Sequence, residues 1–125
     1  MNLKSFTELE CWKRARLLRK EISEISKGFP NEEKYGLISQ IRRSSRSVTA
    51  NIAEGYGRFH FQENIQFCRQ ARGSLYETHD HLITACDEGY MTNEVLNEFE
   101  VKIDEVLKVL NGYINYLKKA KNPNN

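Results

Sequence analysis

The sequence is poor in residues that interrupt helices or staple small folds. Of 125 residues only two are proline and seven glycine, and almost all of these fall where a helix would stop. There is no run of about eighteen apolar residues, which excludes a membrane-spanning helix. The opening MNLKSFTELE lacks the apolar stretch of a secretory signal, so the expected location is cytoplasmic. The three cysteines make an odd set, which suits a reducing compartment better than a disulfide framework. Cys68 and Cys86 would stand about 27 Å apart on one helix, far beyond bridging distance. No strand alternation, internal repeat or glycine-rich phosphate loop following a strand occurs. A chain of this length forms a single domain with a real core and needs neither disulfide nor metal to fold.

What the chain does have is helical periodicity. Ser5 and Glu8 have the spacing of a capping box for a first helix. In that helix Trp12, Ala15, Leu18, Ile22, Ile25 and Phe29 recur at steps of three and four, and Gly28 and Pro30 end it. After the link NEEK, a second helix from about Tyr35 to Glu54 carries Leu37, Ile41, Ser44, Val48 and Ile52 on one stripe. Gly55-Tyr56-Gly57 should break it. A third helix, roughly Gln62 to Glu88, buries Ile65, Cys68, Ala71, Leu75, Leu82 and Cys86, with Gly73 and Ser74 allowing close helix contact and Gly89 as terminator. Thr92 caps a fourth helix. There Leu96, Phe99, Ile103, Val106, Leu110, Tyr113 and Leu117 keep a strict 3-4 alternation, with Val95, Leu107 and Ile114 beside them. Residues 119–125 read as a frayed basic tail. Four such segments with short links spell an all-α, antiparallel up-down-up-down four-helix bundle over residues 1–125.

The net charge of +2 conceals an asymmetry. Residues 1–72 hold 14 Lys+Arg against 8 Asp+Glu, and residues 73–125 hold 5 against 9; all nine arginines lie in the first part. Such polarity fits an anionic partner, head-to-tail association between copies, or simply solvated helix faces. Lys13, Arg16 and Lys20 share one stripe of the first helix. Arg42, Arg43 and Arg46 occupy about a quarter-turn of the second, away from its apolar seam, and Arg58 follows the glycines. The guanidinium fork donates paired hydrogen bonds to phosphate. The competing assignment pairs these arginines with Glu54, Glu21 or Glu24, or with a neighbouring subunit; Arg43 lies nearest the Glu54 side. Phe59, His60 and Phe61 either stack on bases or pack a loop onto the bundle. Asn51 and Glu54 serve either as caps or within a buried network.

Catalytic patterns are weak. His79 and His81 point to different sides of a helix. Glu77 and His81 have i,i+4 metal-ligand spacing but no matching second pair. The cysteines lack a histidine partner in sequence. The expectation is no enzyme, no metal and no cofactor.

The segment GLISQIRRSSRSVTANIAEGYGR closely resembles the hallmark of the 23S rRNA intervening sequence proteins. The matching residues are Gly36-Leu37, Gln40-Ile41-Arg42-Arg43, Asn51-Ile52-Ala53-Glu54-Gly55 and Gly57-Arg58. Leu9, Trp12, Phe29-Pro30, Glu63, Phe67, Ala71, Gly73-Ser74-Leu75, Glu77 and Gly89-Tyr90 extend the match along nearly the whole chain. Thr49 and Ala50 stand where the family often has Pro-Ser, Arg46 replaces a small apolar residue, and Asn64 and Thr78 replace apolar ones. The resemblance implies homopentameric rings of four-helix bundles. Some of these proteins are encoded within inserts in large-subunit ribosomal RNA genes. A similar bundle is the accessory protein of diversity-generating retroelements, which acts with RNA and a reverse transcriptase. By analogy the partner is RNA or DNA, more readily RNA, bound through phosphates by Lys13, Arg16, Lys20, Arg42, Arg43, Arg46 and Arg58. Gln40, Asn51, Glu54, Gly55 and Gly57 form the structural motif. The alternative function is a ring-shaped scaffold that docks another protein.

Overall fold

The computed structural model describes residues 5–122. They form four helices: α1 (Glu10–Ser26), α2 (Leu37–Tyr56), α3 (Phe61–Asp87) and α4 (Asn93–Lys121). Short 3-10 turns, Phe6–Glu8 and Asn31–Glu33, precede α1 and α2. No strand occurs among the described residues. Each helix packs on its neighbours in sequence, and α4 closes onto α1.

The cross-helix pairs give the directions. Arg19 meets Thr49 while Ser26 meets Arg42. Ser47 meets Ser74 while Ser44 meets Thr78. Asn64 meets Tyr113 while His79 meets Glu100. In every case the number rises on one helix as it falls on the next, so consecutive helices are antiparallel and the bundle is up-down-up-down.

The predicted seams are buried with local adjustments. Ile22, Ile41, Ile52, Leu75, Leu82, Ile103 and Leu110 are essentially inaccessible. On α1 the deep position belongs to Cys11, and Trp12 sits half-buried at the edge. On α3, Ala85 takes the place expected for Cys86; on α4, Ile114 is buried where Tyr113 and Leu96 are only half-buried. The substituted polar residues Asn64 and Thr78 are buried and paired. Asn64 Nδ2 donates to Tyr113 Oη at 3.0 Å. Thr78 Oγ1 lies 2.8 Å from both Ser44 Oγ and the Ser74 carbonyl. Such pairing removes the cost of placing polar groups inside a core.

The helix ends revise several expectations. Ser5 does cap, but its hydroxyl accepts from Thr7 N–H in the 3-10 turn rather than at α1. Gly89 terminates α3 with φ +81°, and Tyr90 N–H reaches the Ala85 carbonyl at 2.9 Å, closing a Schellman turn. Thr92 caps α4 by accepting from Val95 N–H. For α2 the cap is a side chain from the preceding turn. Glu33 Oε1 accepts from Leu37 N–H, and Glu33 Oε2 accepts from Tyr90 Oη at 2.9 Å. One carboxylate thus ties two loops together at the end of the bundle closed by Phe29, Leu37 and Ala85. Helix α4 continues through Lys121, so residues 119–121 of the expected tail are helical, and residues 123–125 lie outside the described part.

The glycines exchange roles. Gly55 does not break α2, which runs on to Tyr56, and Gly57 caps it with φ −77°, a conformation open to any residue. Gly55 is instead buried where α3 crosses. A Cβ there would stand 2.7 Å from Asn64 Oδ1 and 2.9 Å from Phe67 Cβ. Gly73, expected at a close contact, has nothing within 4 Å of its would-be Cβ. Gly55→Ala is therefore expected to destabilise the fold by about 1–3 kcal/mol through overpacking. Gly73→Ala should stabilise it by up to about 1 kcal/mol through helix propensity alone. Urea denaturation midpoints of the two variants moving in the same direction would contradict this assignment.

Candidate nucleic-acid interface

The basic residues of α1 and α2 are placed by the same periodicity that builds the core. Cys11, Ala15, Leu18, Ile22 and Ser26 form the buried edge of α1. At about 100° per residue, Arg19 and Ser23 then fall on the side toward α2, and their contacts agree. Arg19 Nη1 donates to Thr49 Oγ1 at 2.9 Å, and the Ser23 carbonyl faces Arg42 Nη2 at 3.4 Å. Arg16, Lys20 and Lys13 follow on the outer surface, all three exposed. On α2, Thr49 and Arg42 mark the side toward α1, and Arg46 stands just outside them, exposed. The α1/α2 groove is thus bordered by Arg16 and Lys20 on one helix and Arg46 on the other, with Arg19 and Arg42 in its floor.

No carboxylate of α1 or α2 enters this groove among the described residues. Glu10 pairs with Arg14 at 3.2 Å, and Arg14 in turn approaches Glu105 of α4. Glu21 pairs with Lys102 of α4. Glu24 is taken by Lys27 at 2.9 Å and Glu54 by Arg58 at 3.3 Å. Glu24, on the outer stripe four residues after Lys20, is neutralised there by Lys27, and the other acids of the two helices are spent on other faces.

The expected arginine arc is divided by the fold. Arg42 is half-buried, and its Nε donates to Ser26 Oγ at 2.8 Å. It sits over the last turn of α1, where a cation also opposes the negative end of the helix dipole. Arg42 is therefore first an α1–α2 clasp. Arg43 is exposed and does not pair with Glu54, whose partner is Arg58. Arg58 itself lies between Glu54 and Glu63, the latter at 4.0 Å, and its guanidinium covers the Phe67 ring at 4.7 Å. Two acids beside it make it a poorer phosphate ligand than Arg16, Lys20 or Arg46. Sequence reasoning overlooked Arg19; its position between the basic stripe and the seam was the available signal.

The structural motif also separates. Asn51 Nδ2 donates to the Ser47 carbonyl and to Ser47 Oγ, and Ser47 Oγ meets Ser74 Oγ at 2.9 Å. Asn51 therefore belongs to the polar seam between α2 and α3. Glu54 is in a surface ion pair, Gly55 is at the helix crossing, Gly57 is the cap, and Gln40 stands exposed in the first turn of α2.

The 23S rRNA-intervening sequence protein family matches the chain over residues 7–112. The chain belongs to this family. A crystal structure of a protein of unknown function from the S23 ribosomal protein family of Bacteroides thetaiotaomicron VPI-5482 has the same fold. Its TM-score is 0.76 at 25% identity, covering 83% of this chain and 97% of that one. No curated protein matches the sequence. Arg42, Arg43, Asn51, Glu54, Gly55 and Gly57 all lie within the family match, yet they perform different jobs, from clasp to crossing to cap.

Other chemistry is sparse in this family member. His79 pairs with Glu100 at 2.9 Å and His81 with Glu77 at 3.2 Å. No group of three or more His, Cys, Asp or Glu side chains among the described residues is arranged to hold a metal ion. None of the described helices is long and apolar enough to cross a membrane. Burial pushes the Cys11 and Cys68 thiols up from an ordinary 9.0 to about 12, so neither supplies a thiolate near neutral pH. The folded chain keeps protons that the unfolded chain would release. Their contribution to stability is thus complete below pH 9 and is lost as pH rises from 9 toward 12. At pH 8 an aromatic disulfide reagent should label only the half-buried Cys86 in native protein and all three thiols in urea. Rapid labelling of all three in native protein would mean that Cys11 and Cys68 are not in a closed core.

Proposed function

We propose that this protein is a non-enzymatic nucleic-acid-binding protein, with structured RNA as its ligand, that grips phosphates along the α1/α2 groove. The observation that carries the reading is the convergence of Arg16, Arg19, Lys20, Arg42 and Arg46 on one groove that no carboxylate of either helix enters among the described residues. Two of these guanidiniums are already held by Ser26 and Thr49, so less side-chain freedom is lost on binding. Lys13 extends the row on α1, and Arg43 flanks it on α2. Contacts of this kind neutralise phosphates and carry little sequence information. The ribosomal RNA in the family's name fits such a ligand. His79 and His81 are engaged in hydrogen bonds with Glu100 and Glu77, and the Cys11 and Cys68 thiols stay protonated, which favours a binding role over a reaction.

In the same reading the protein acts as a closed ring of copies. The number five comes from the family resemblance. The physical motive is charge: residues 1–72 are net basic and residues 73–125 net acidic, and α4 presents Glu94, Glu98, Asp104 and Glu105, all exposed. Surfaces of opposite sign on one chain suit a heterologous contact that closes. A second reading, a scaffold that docks another protein, draws on the loop between α2 and α3, where Phe59 is 93% exposed and Phe61 46%. Large exposed rings side by side are a usual mark of a protein contact.

RNA affinity measured at several salt concentrations separates the two readings. Replacing both Lys20 and Arg46 with alanine should weaken binding and reduce the salt slope by about two, one for each phosphate no longer neutralised. Arg42→Ala should chiefly lower the denaturation midpoint, because it opens the α1–α2 clasp. Equal affinities and slopes for wild type and the double variant would remove the groove from the interface and favour the scaffold. Light scattering at micromolar protein should give a mass several times 14.6 kDa; a monomer mass would end the ring.

A further inference from the structure

Next to the α1/α2 groove, on the outer face of α1, lies an open hollow lined by Thr7, Trp12, Lys13, Arg16, Leu17 and Lys20. Its chemistry is unusual for a helix surface. It combines an indole face, three cations and an apolar side chain, with no carboxylate among its lining residues. The indole is fixed in place. Trp12 packs against the core, and the Phe6 ring meets it edge-on with centroids 5.3 Å apart and planes at 73°. Arg16 already extends over the ring, its guanidinium carbon 5.7 Å from the centroid. Leu17, 58% exposed, supplies an apolar side wall that the core does not use. Lys13 and Lys20 stand seven residues apart, about 10 Å along the helix axis, at the two ends of the hollow.

We infer that this hollow is a subsite for one unpaired nucleotide, with the base stacked on Trp12 and Arg16 and the flanking phosphates held by Lys13 and Lys20. The inference rests on the nucleic-acid reading above and narrows it: the ligand must offer a single-stranded loop, bulge or end beside the segment that runs along the groove. Aromatic and guanidinium planes are the two surfaces on which proteins stack splayed-out bases. Three cations around one indole favour a polyanion over the apolar surface of a second copy. A duplex keeps its bases paired, so it would engage the groove and leave the hollow empty.

Trp12 is the only tryptophan in the chain, so its emission reports the hollow directly. The probes are a twelve-nucleotide oligouridylate, an abasic phosphodiester of the same length, and a twelve-base-pair RNA duplex, each end-labelled so that anisotropy measures binding independently. At low salt the oligouridylate is expected to quench Trp12 emission by more than half, with the same midpoint as its anisotropy. The abasic strand and the duplex are expected to bind with emission unchanged. Trp12→Leu should lower oligouridylate affinity about tenfold and leave the abasic affinity and the salt slope as they were. Because Trp12 also packs on the core, wild-type emission decides the matter even if that variant does not fold. Binding of oligouridylate by anisotropy without a change in emission would overturn the stacking subsite and leave the groove standing. Failure of all three probes to bind would overturn the groove itself. An emission shift produced by raising the protein concentration alone, in step with an increase in mass, would show that a second copy covers the hollow and would overturn the subsite.

Discussion

The rest of the structure depends on the close crossing of α2 and α3. Gly55 allows Asn64 and Phe67 to approach, and the small hydroxyl residues Ser44, Ser47, Ser74 and Thr78 keep the two helices near along the remaining length. Close approach would strand polar groups if these hydroxyls lacked partners. They pair with each other, with Asn51 and with carbonyls one turn back, and no buried side-chain nitrogen or oxygen among the described residues is left unsatisfied. A purely apolar seam tolerates sliding by a turn. A ladder of mutually paired hydroxyls does not, because a shift would leave several buried groups without partners. The register of α2 against α3 is set there, and through it the positions of the α2 cations over α1.

The opposite flank of α2 is fastened differently. Arg19 and Arg42 cross between α1 and α2, ending on Thr49, Ser26 and the Ser23 carbonyl. These contacts place charge in the floor of the groove while holding its walls together. Helix α2 is thus hydroxyl-lined toward α3, guanidinium-lined toward α1 and apolar toward the centre. This division explains why a twenty-residue helix with so few large apolar side chains remains a central element.

The fold was legible because its evidence is one-dimensional: a 3-4 apolar rhythm, Thr92 before α4 and Gly89 after α3 can all be read along the chain. The residues misjudged were those whose role depends on a neighbouring helix. Gly55 and Gly73 look alike in sequence, and only the crossing point tells which one a Cβ would obstruct. Arg42 falls on the same arc as Arg43 and Arg46, but a single-helix projection cannot show that the end of α1 lies beneath it. Arg58 looks free until α3 brings Glu63 to its other side. Asn64 and Thr78 look like packing faults until Tyr113 and Ser44 are seen opposite them. The basic character of the first half was plain in the sequence; its concentration into one groove required knowing where each acid is spent.

The order of the bundle also bears on how the chain reaches its native state. Every helix packs against the next one along the sequence, the link from Gly57 to His60 is only four residues long, and among the helix–helix interfaces only α1–α4 joins helices that are not neighbours in sequence. Three of the four interfaces can therefore form as successive hairpins with little loop entropy to overcome, and sealing α4 against α1 carries the largest chain-closure cost. Such a topology belongs with the rapid folders, in the microsecond-to-millisecond range. That seam joins the first and last of the four helices, so the groove on α1 and α2 can be complete before the bundle is.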